Sequence, residues 1–187
     1  MKNKYLETVI FAKKDIQNAI KETAKTLNKE LKGNRSPIVV IGVLNGCSAF
    51  FGQLLTQLKF PLVTDFVRYE SFNGNEERIQ EPELTLKLQG ETRKFIKNKE
   101  VLVIDDVISS GATSKMIYDE IMSYGAKEVR FAFLLDQENK NRINIDFEYT
   151  AALKAPSSFL VGYGLDYKAK FRNLDCIGNL KEKYLKK

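Results

Sequence analysis

With 187 residues, no histidine and two cysteines, Cys47 and Cys176, the chain is sized for a single domain with its own core. It lacks the imidazole of Ser-His, Cys-His and His-zinc chemistry and the thiolates of a four-cysteine zinc site. Its formal charge of +6 suits solubility and the recruitment of a small polyanion, and no strand- or helix-reading signature accompanies it, so no nucleic-acid partner is expected. No stretch has the pattern of a signal peptide or the length of a membrane span. The expected compartment is therefore a reducing cytoplasm with both thiols free, and carboxylate and phosphate oxygens are left as metal ligands, which suit magnesium.

From Asp15 to Leu31, the apolar residues Ile16, Ile20, Ala24, Leu27 and Leu31 recur at helical spacing on one face, and Gly33 stands where a C-cap belongs. After Pro37, IVVIGV (38–43) is a continuous aliphatic run too short for a helix, which predicts a central parallel strand. Beyond the turn at Asn45 and Gly46, residues 48–58 gather Phe50, Phe51, Leu54, Leu55 and Leu58 on one side of a helix, and 61–69 reads as a strand. Between Glu70 and Glu100 the pattern weakens to polar turn formers, with only TLKL (85–88) alternating like a short antiparallel strand. Such an excursion is either a hairpin extension or a mobile cover over a site. There follow a strand at 101–104, a helix at about 113–124 closed by Gly125, a strand at 129–135, and short β segments around 147–153 and 159–164. The alternation of strands and helices predicts an α/β fold, a mostly parallel sheet flanked by helices, with residues 1–187 as one domain.

The run VLVIDDVISSGATS (101–114) carries the functional argument. Parallel sheets bind ligands at the C-terminal ends of their strands, where this run puts Asp105 and Asp106. Behind them Ser109, Ser110, Gly111, Ala112 and Thr113 form a small-residue turn opening a helix, whose N–H groups and hydroxyls make an anion cradle. It lacks the lysine and spacing of a Walker loop. A phosphate on the turn and a vicinal diol on the carboxylates describe a ribose 5-phosphate.

In these residues the chain resembles the type I phosphoribosyltransferases, and over nearly its whole length it is similar to the hypoxanthine-guanine phosphoribosyltransferases. VLNG (43–46), RYESF (68–72) and FLVGYGLDYKAKFRNL (159–174) carry the wider likeness. The resemblance implies transfer of phosphoribose from PRPP to a purine base, giving a nucleoside monophosphate and pyrophosphate with Mg2+ as cofactor. It implies a small hood built from the N- and C-terminal segments, a flexible loop at about 70–90, and a homodimer or homotetramer. By position it implies ribose and PRPP binding by Asp105, Asp106 and the turn Ser109, Ser110, Gly111, Ala112 and Thr113. Pyrophosphate contacts would come from Leu44, Asn45, Gly46 and Arg172, base contacts from Gln137, Phe159, Leu160 and Asp166, and metal ligands from Asp106 and Asp166. Asp166 with Arg172 has the alternative reading of a structural ion pair.

Four positions depart from the family pattern. Asn45 stands for a lysine, and in the mobile loop Phe72, after Ser71, stands for a tyrosine. Ser109 occupies the position of an acid thought to manage the purine proton, and Gln137 that of the lysine that reads the 6-oxo group. A hydroxyl is a poor general base, and a carboxamide can donate or accept where lysine only donates. The alternatives these changes raise are a protein that keeps the PRPP or nucleotide pocket without efficient turnover, and a transferase for a different base.

Overall fold

The computed structural model describes residues 3–33, 36–68 and 95–185. Strand β1 (Leu6–Phe11) leads into helix α1 (Lys13–Glu30), β2 (Ile38–Leu44), α2 (Ser48–Leu55) and β3 (Leu62–Arg68). Then come β4 (Glu100–Ile108), α3 (Ala112–Ser123), β5 (Glu128–Gln137), β6 (Glu148–Ala155), β7 (Ile177–Leu180) and a last helical turn, α4 (Glu182–Leu185). The expected strand at 85–88 and the loop residues Ser71 and Phe72 lie outside the described residues.

Strands β2 to β6 form one parallel sheet in the order β3-β2-β4-β5-β6. The aliphatic runs are continuous because both faces are covered. Val40, Leu102, Ile104, Ala132 and Leu134 pack with Ile16, Ile20, Leu27, Phe50 and Leu54 from α1 and α2. On the other face Val39, Ile41, Val103, Phe131 and Phe133 pack with Ile117 and Ile121 of α3. Phe131 and Phe133 are fully buried, and truncating either to alanine should cost about 3–5 kcal/mol.

Three boundaries differ from the sequence reading, each for a tertiary reason. The strand expected to end at Ile104 runs to Ile108, because pairing with β5 continues through Asp105↔Phe133, Val107↔Leu135 and Ile108↔Asp136 after pairing with β2 has stopped at Gly42↔Ile104. Helix α2 stops at Leu55 rather than Leu58. There Asn28 of α1 captures the chain, donating to the Gln57 carbonyl and accepting from the Lys59 N–H. Residues 159–164 are not a strand: Val161 makes one isolated bridge to Gly178, and the chain turns back so that Gly162 and Leu165 exchange hydrogen bonds.

The termini meet in a separate two-stranded sheet, β1 antiparallel to β7, with Leu6 opposite Leu180 and Phe11 opposite Ile177. Leu6 and Leu180 pack on Val161 and Cys176 in a small cluster of their own. This sheet therefore anchors the segment that follows β6.

Candidate active site

In the parallel sheet β2 and β4 are neighbours, yet β2 is followed outward by β3 on one side and β4 by β5 on the other. Strand order thus reverses between them, and the crevice beyond their C-terminal ends is where an open α/β sheet binds its ligand. Because β2–β4 pairing stops at Ile104, the last residues of both strands separate there. The crevice receives the loop Leu44–Asn45–Gly46, whose Leu44–Asn45 peptide is cis, and the pair Asp105–Asp106.

Two glycines bring three chain segments into contact. A Cβ on Gly46 would overlap the Asp106 carboxylate, and one on Gly164, itself at φ +103°, would overlap the Gly46 carbonyl. Only hydrogen fits at either position. Gly164 in turn presents its carbonyl to Arg172 Nη1 at 2.7 Å. Arg172 Nη2 pairs with Asp166 Oδ1 at 2.8 Å, and the other Asp166 oxygen accepts the Ala169 N–H at 2.7 Å. Tyr163, Lys168, Ala169 and Phe171 all have positive φ, at a cost of roughly 1 kcal/mol or more each. Backbone bonds from Tyr163 to Leu174 and from Gly164 to Arg172 hold this wound segment closed. The expected residues Gly46, Asp106, Asp166 and Arg172 therefore form one connected cluster, with Asp166 engaged by Arg172 and the Ala169 N–H.

The acid pair is costly to keep. Asp105 is 7% exposed, accepts the Asp106 N–H at 2.8 Å, and has its carboxyl held well above the usual carboxylate range by burial first and the Asp106 charge second. Burial also pushes the Asp106 carboxyl up, against the opposing pull of hydrogen bonds and the nearby Arg172. Cys47, fully buried at the start of α2, has its thiol pushed up strongly by burial and then by both aspartates, which makes it an inert thiol rather than a nucleophile. An acid pair with one member buried and the other half-buried is relieved by a cation or by hydroxyl donors. No group of three or more His, Cys, Asp or Glu side chains able to hold a metal occurs among the described residues. Two adjacent carboxylates are a donor set that fits magnesium, which takes one or two carboxylates and completes its shell with substrate and water oxygens.

Beyond Asp106 the turn Ser109–Gly111 delivers the chain into α3, with Gly111 as N-cap at φ +84°. Ser110 Oγ accepts the Ala112 N–H in a long bond of 3.4 Å. Ser109 Oγ accepts from Asn139 Nδ2 at 2.9 Å, so it is already engaged as an acceptor. Thr113 is half-buried on the first turn of the helix.

The remaining expected residues gather at the end of β5. Gln137 donates both amide hydrogens, to the carbonyls of Pro156 at 3.1 Å and Ser158 at 2.7 Å. Phe159, next to Ser158, exposes 56% of its surface and meets Tyr167 edge-on, with ring centroids 5.7 Å apart. Asn179 of β7 donates to the Phe159 carbonyl, which ties the terminal sheet to this aromatic. Leu160 is buried and Asn45 exposed. Sequence reasoning missed Asn139 and Arg142, which contact the turn from the β5–β6 connection. Their only sequence signal is an arginine in a polar stretch, NKNRIN (139–144).

Residues 9–168 match the family model of the phosphoribosyl transferase domain. A hypoxanthine-guanine phosphoribosyltransferase of Staphylococcus aureus (strain Mu50) is 35% identical over 176 residues, covering 94% of each chain. That of Staphylococcus epidermidis (strain RP62A) is 35% identical over 179 residues, covering 96% of each. Among solved structures, a hypoxanthine phosphoribosyltransferase from Staphylococcus aureus superposes with a TM-score of 0.81 at 34% identity, covering 96% of this chain and 94% of that one. A Trypanosoma cruzi hypoxanthine phosphoribosyl transferase has a TM-score of 0.84 over 100% of this chain and 97% of that one, at 23% identity, and so speaks to the fold alone.

Proposed function

The chain belongs to the phosphoribosyltransferase family, and from that premise we propose that it is a purine-salvage enzyme. It converts PRPP and a hypoxanthine- or guanine-like base to a nucleoside monophosphate and pyrophosphate. The observation that carries this reading is the acid pair at the switch point, Asp105 buried and Asp106 half-buried, followed directly by a small-residue turn that opens a helix. That spacing suits a sugar diol and a 5-phosphate on one ligand.

In the reaction the bond from the anomeric carbon to the pyrophosphate oxygen breaks, its electron pair leaves with pyrophosphate, and a bond to a purine ring nitrogen forms. Asp105 and Asp106 orient the ribose hydroxyls, and the turn from Ser109 to Thr113 holds the 5-phosphate. The Leu44–Gly46 loop and Arg172 face the departing pyrophosphate. Phe159 offers its exposed ring to the base, Leu160 its backbone to the base edge, and Gln137 the remaining oxygen of its carboxamide. Arg172 is held in place by Asp166, which thus acts through Arg172. Asp106, with Asp105 beside it, would hold magnesium, which when bound stabilises charge on the pyrophosphate oxygens. Ser109 is too weak a base to take the purine proton at neutral pH, so the proton leaves to solvent.

The chain works as one domain, with the terminal sheet and the segment after β6 as a hood over the crevice. A homodimer or homotetramer in the cytoplasm is the setting the family suggests; among the described residues no helix is long and apolar enough to cross a membrane. The test is incubation with PRPP, magnesium and hypoxanthine, guanine, xanthine, adenine or a non-purine base, with nucleotide formation followed by chromatography. A nucleotide from hypoxanthine or guanine is the expected result. Absence of product from every base, with PRPP still bound in calorimetry, would leave a binding protein in place of an enzyme.

A further inference from the structure

We propose that residues 138–145, in the connection between β5 and β6, form a brace that holds the 109–111 turn open for the 5-phosphate, with Arg142 as its principal positioning residue and Asn139 as its second. The proposal rests on the phosphoribosyltransferase reading given above.

Arg142 donates from Nε to the Ser109 carbonyl at 2.9 Å and from Nη2 to the Ile108 carbonyl at 3.2 Å. The same Nη2 reaches the Gln137 carbonyl at 2.7 Å and Asp136 Oδ1 at 2.6 Å. Asp136 is fixed from its other oxygen by the Tyr149 hydroxyl at 3.3 Å. One residue on, the Ile143 N–H donates to the Ser110 carbonyl at 2.9 Å. Ile143 and Ile145 lie directly against Gly111. The brace thus grips the turn by consecutive main-chain carbonyls.

A trans peptide unit is planar, with its C=O and N–H pointing opposite ways. Tying the Ser109 and Ser110 carbonyls back to the brace therefore turns the N–H groups of Ser110 and Gly111 outward, and neither finds a protein acceptor among the described residues. Successive N–H groups presented this way are an anion nest. A flexible turn would have to lose entropy on binding; a braced one has already done so.

Asn139 acts on the side chain instead. Its Oδ1 accepts the Asn141 N–H at 2.7 Å, which fixes the amide so that Nδ2 faces Ser109 Oγ. With that oxygen accepting, the Ser109 hydroxyl hydrogen remains to be donated, as an anion requires.

The variants are Arg142→Lys, which keeps the charge and loses the fork, and Asn139→Ala. KM would be measured for PRPP and base in the forward direction and for nucleoside monophosphate and pyrophosphate in reverse. PRPP and the monophosphate carry the 5-phosphate; base and pyrophosphate do not. The expected result for Arg142→Lys is a rise of about tenfold in KM for the first two, with the other two unchanged. Asn139→Ala should show the same split, about threefold, and serves alone if Arg142→Lys does not fold. Equal change in all four constants, or none, overturns the brace while leaving the enzyme reading intact. Should the wild type make no product, calorimetry with PRPP and with pyrophosphate reads the same split, and a wild type that binds neither sinks the functional reading as well.

Discussion

The two sides of the crevice are built on opposite principles. On the sugar-phosphate side, Asp105, Asp106, Gly46 and the turn are buried or half-buried, charged, and packed so closely that a single methyl at Gly46 does not fit. At the other end, Phe159 is exposed, and Gln137 is an uncharged amide spending its donors on Pro156 and Ser158. The difference teaches that, on the proposed reading, the sugar side is preorganised and the base side loosely specified, so substitutions should act steeply on one side and shallowly on the other.

The hardest blow to the first side is Gly46→Ala. Displacing the Asp106 carboxylate should lower kcat/KM by about 100-fold in steady-state assays, and a mild effect would mean that the loop gives way easily. Next comes Asp105→Asn, which should slow turnover by roughly 30-fold while stabilising the ligand-free protein. The sign follows from the raised carboxyl of Asp105. The native state holds its proton more tightly than the unfolded chain, so this contribution to stability is full below the ordinary value of 3.8 and lost as pH rises through the raised folded value. At neutral pH the asparagine variant should therefore melt higher, by about 2–4 °C per kcal/mol relieved, and the advantage should vanish towards pH 4. A variant that melts lower across the whole range would overturn that account.

On the base side, Gln137→Lys supplies a charged donor and should lower KM for a 6-oxopurine by about tenfold, leaving KM for PRPP where it was. A shift in the PRPP constant would show that the two sides are not independent. Smallest is Phe159→Leu, expected to raise KM for the base by about threefold through loss of aromatic contact.

How much of this was legible depended on whether the determinant was local. The runs 38–43, 101–104 and 129–135 announce buried parallel strands because covering both faces removes all alternation, and the acid pair with its turn follows directly from one of them. β4's continuation through its aspartates was hidden, since polar residues stay in the ladder only because β5 accompanies them. β7 has four residues and β1 is largely exposed, so neither carries a periodic signal. FLVGYG looks like a strand by composition, but Gly162, Tyr163 and Gly164 all adopt positive φ. The Arg142 brace left only an arginine in a polar stretch as its trace, because it recognises main-chain carbonyls that every sequence possesses.

The contact of Gly46, Asp106, Gly164 and Arg172 also sets an order of events during synthesis. Residue 172 lies 66 positions after residue 106, so at about 5–20 residues per second a ribosome needs roughly 3–13 s to supply it. Throughout that interval the nascent chain carries its acid pair without its guanidinium neighbour, and β1 awaits β7 near the other end. The parallel sheet can assemble as it emerges. The crevice closes only once the last segment is free of the exit tunnel, so a chain truncated before Arg172 would retain the sheet's strands and lack the pocket.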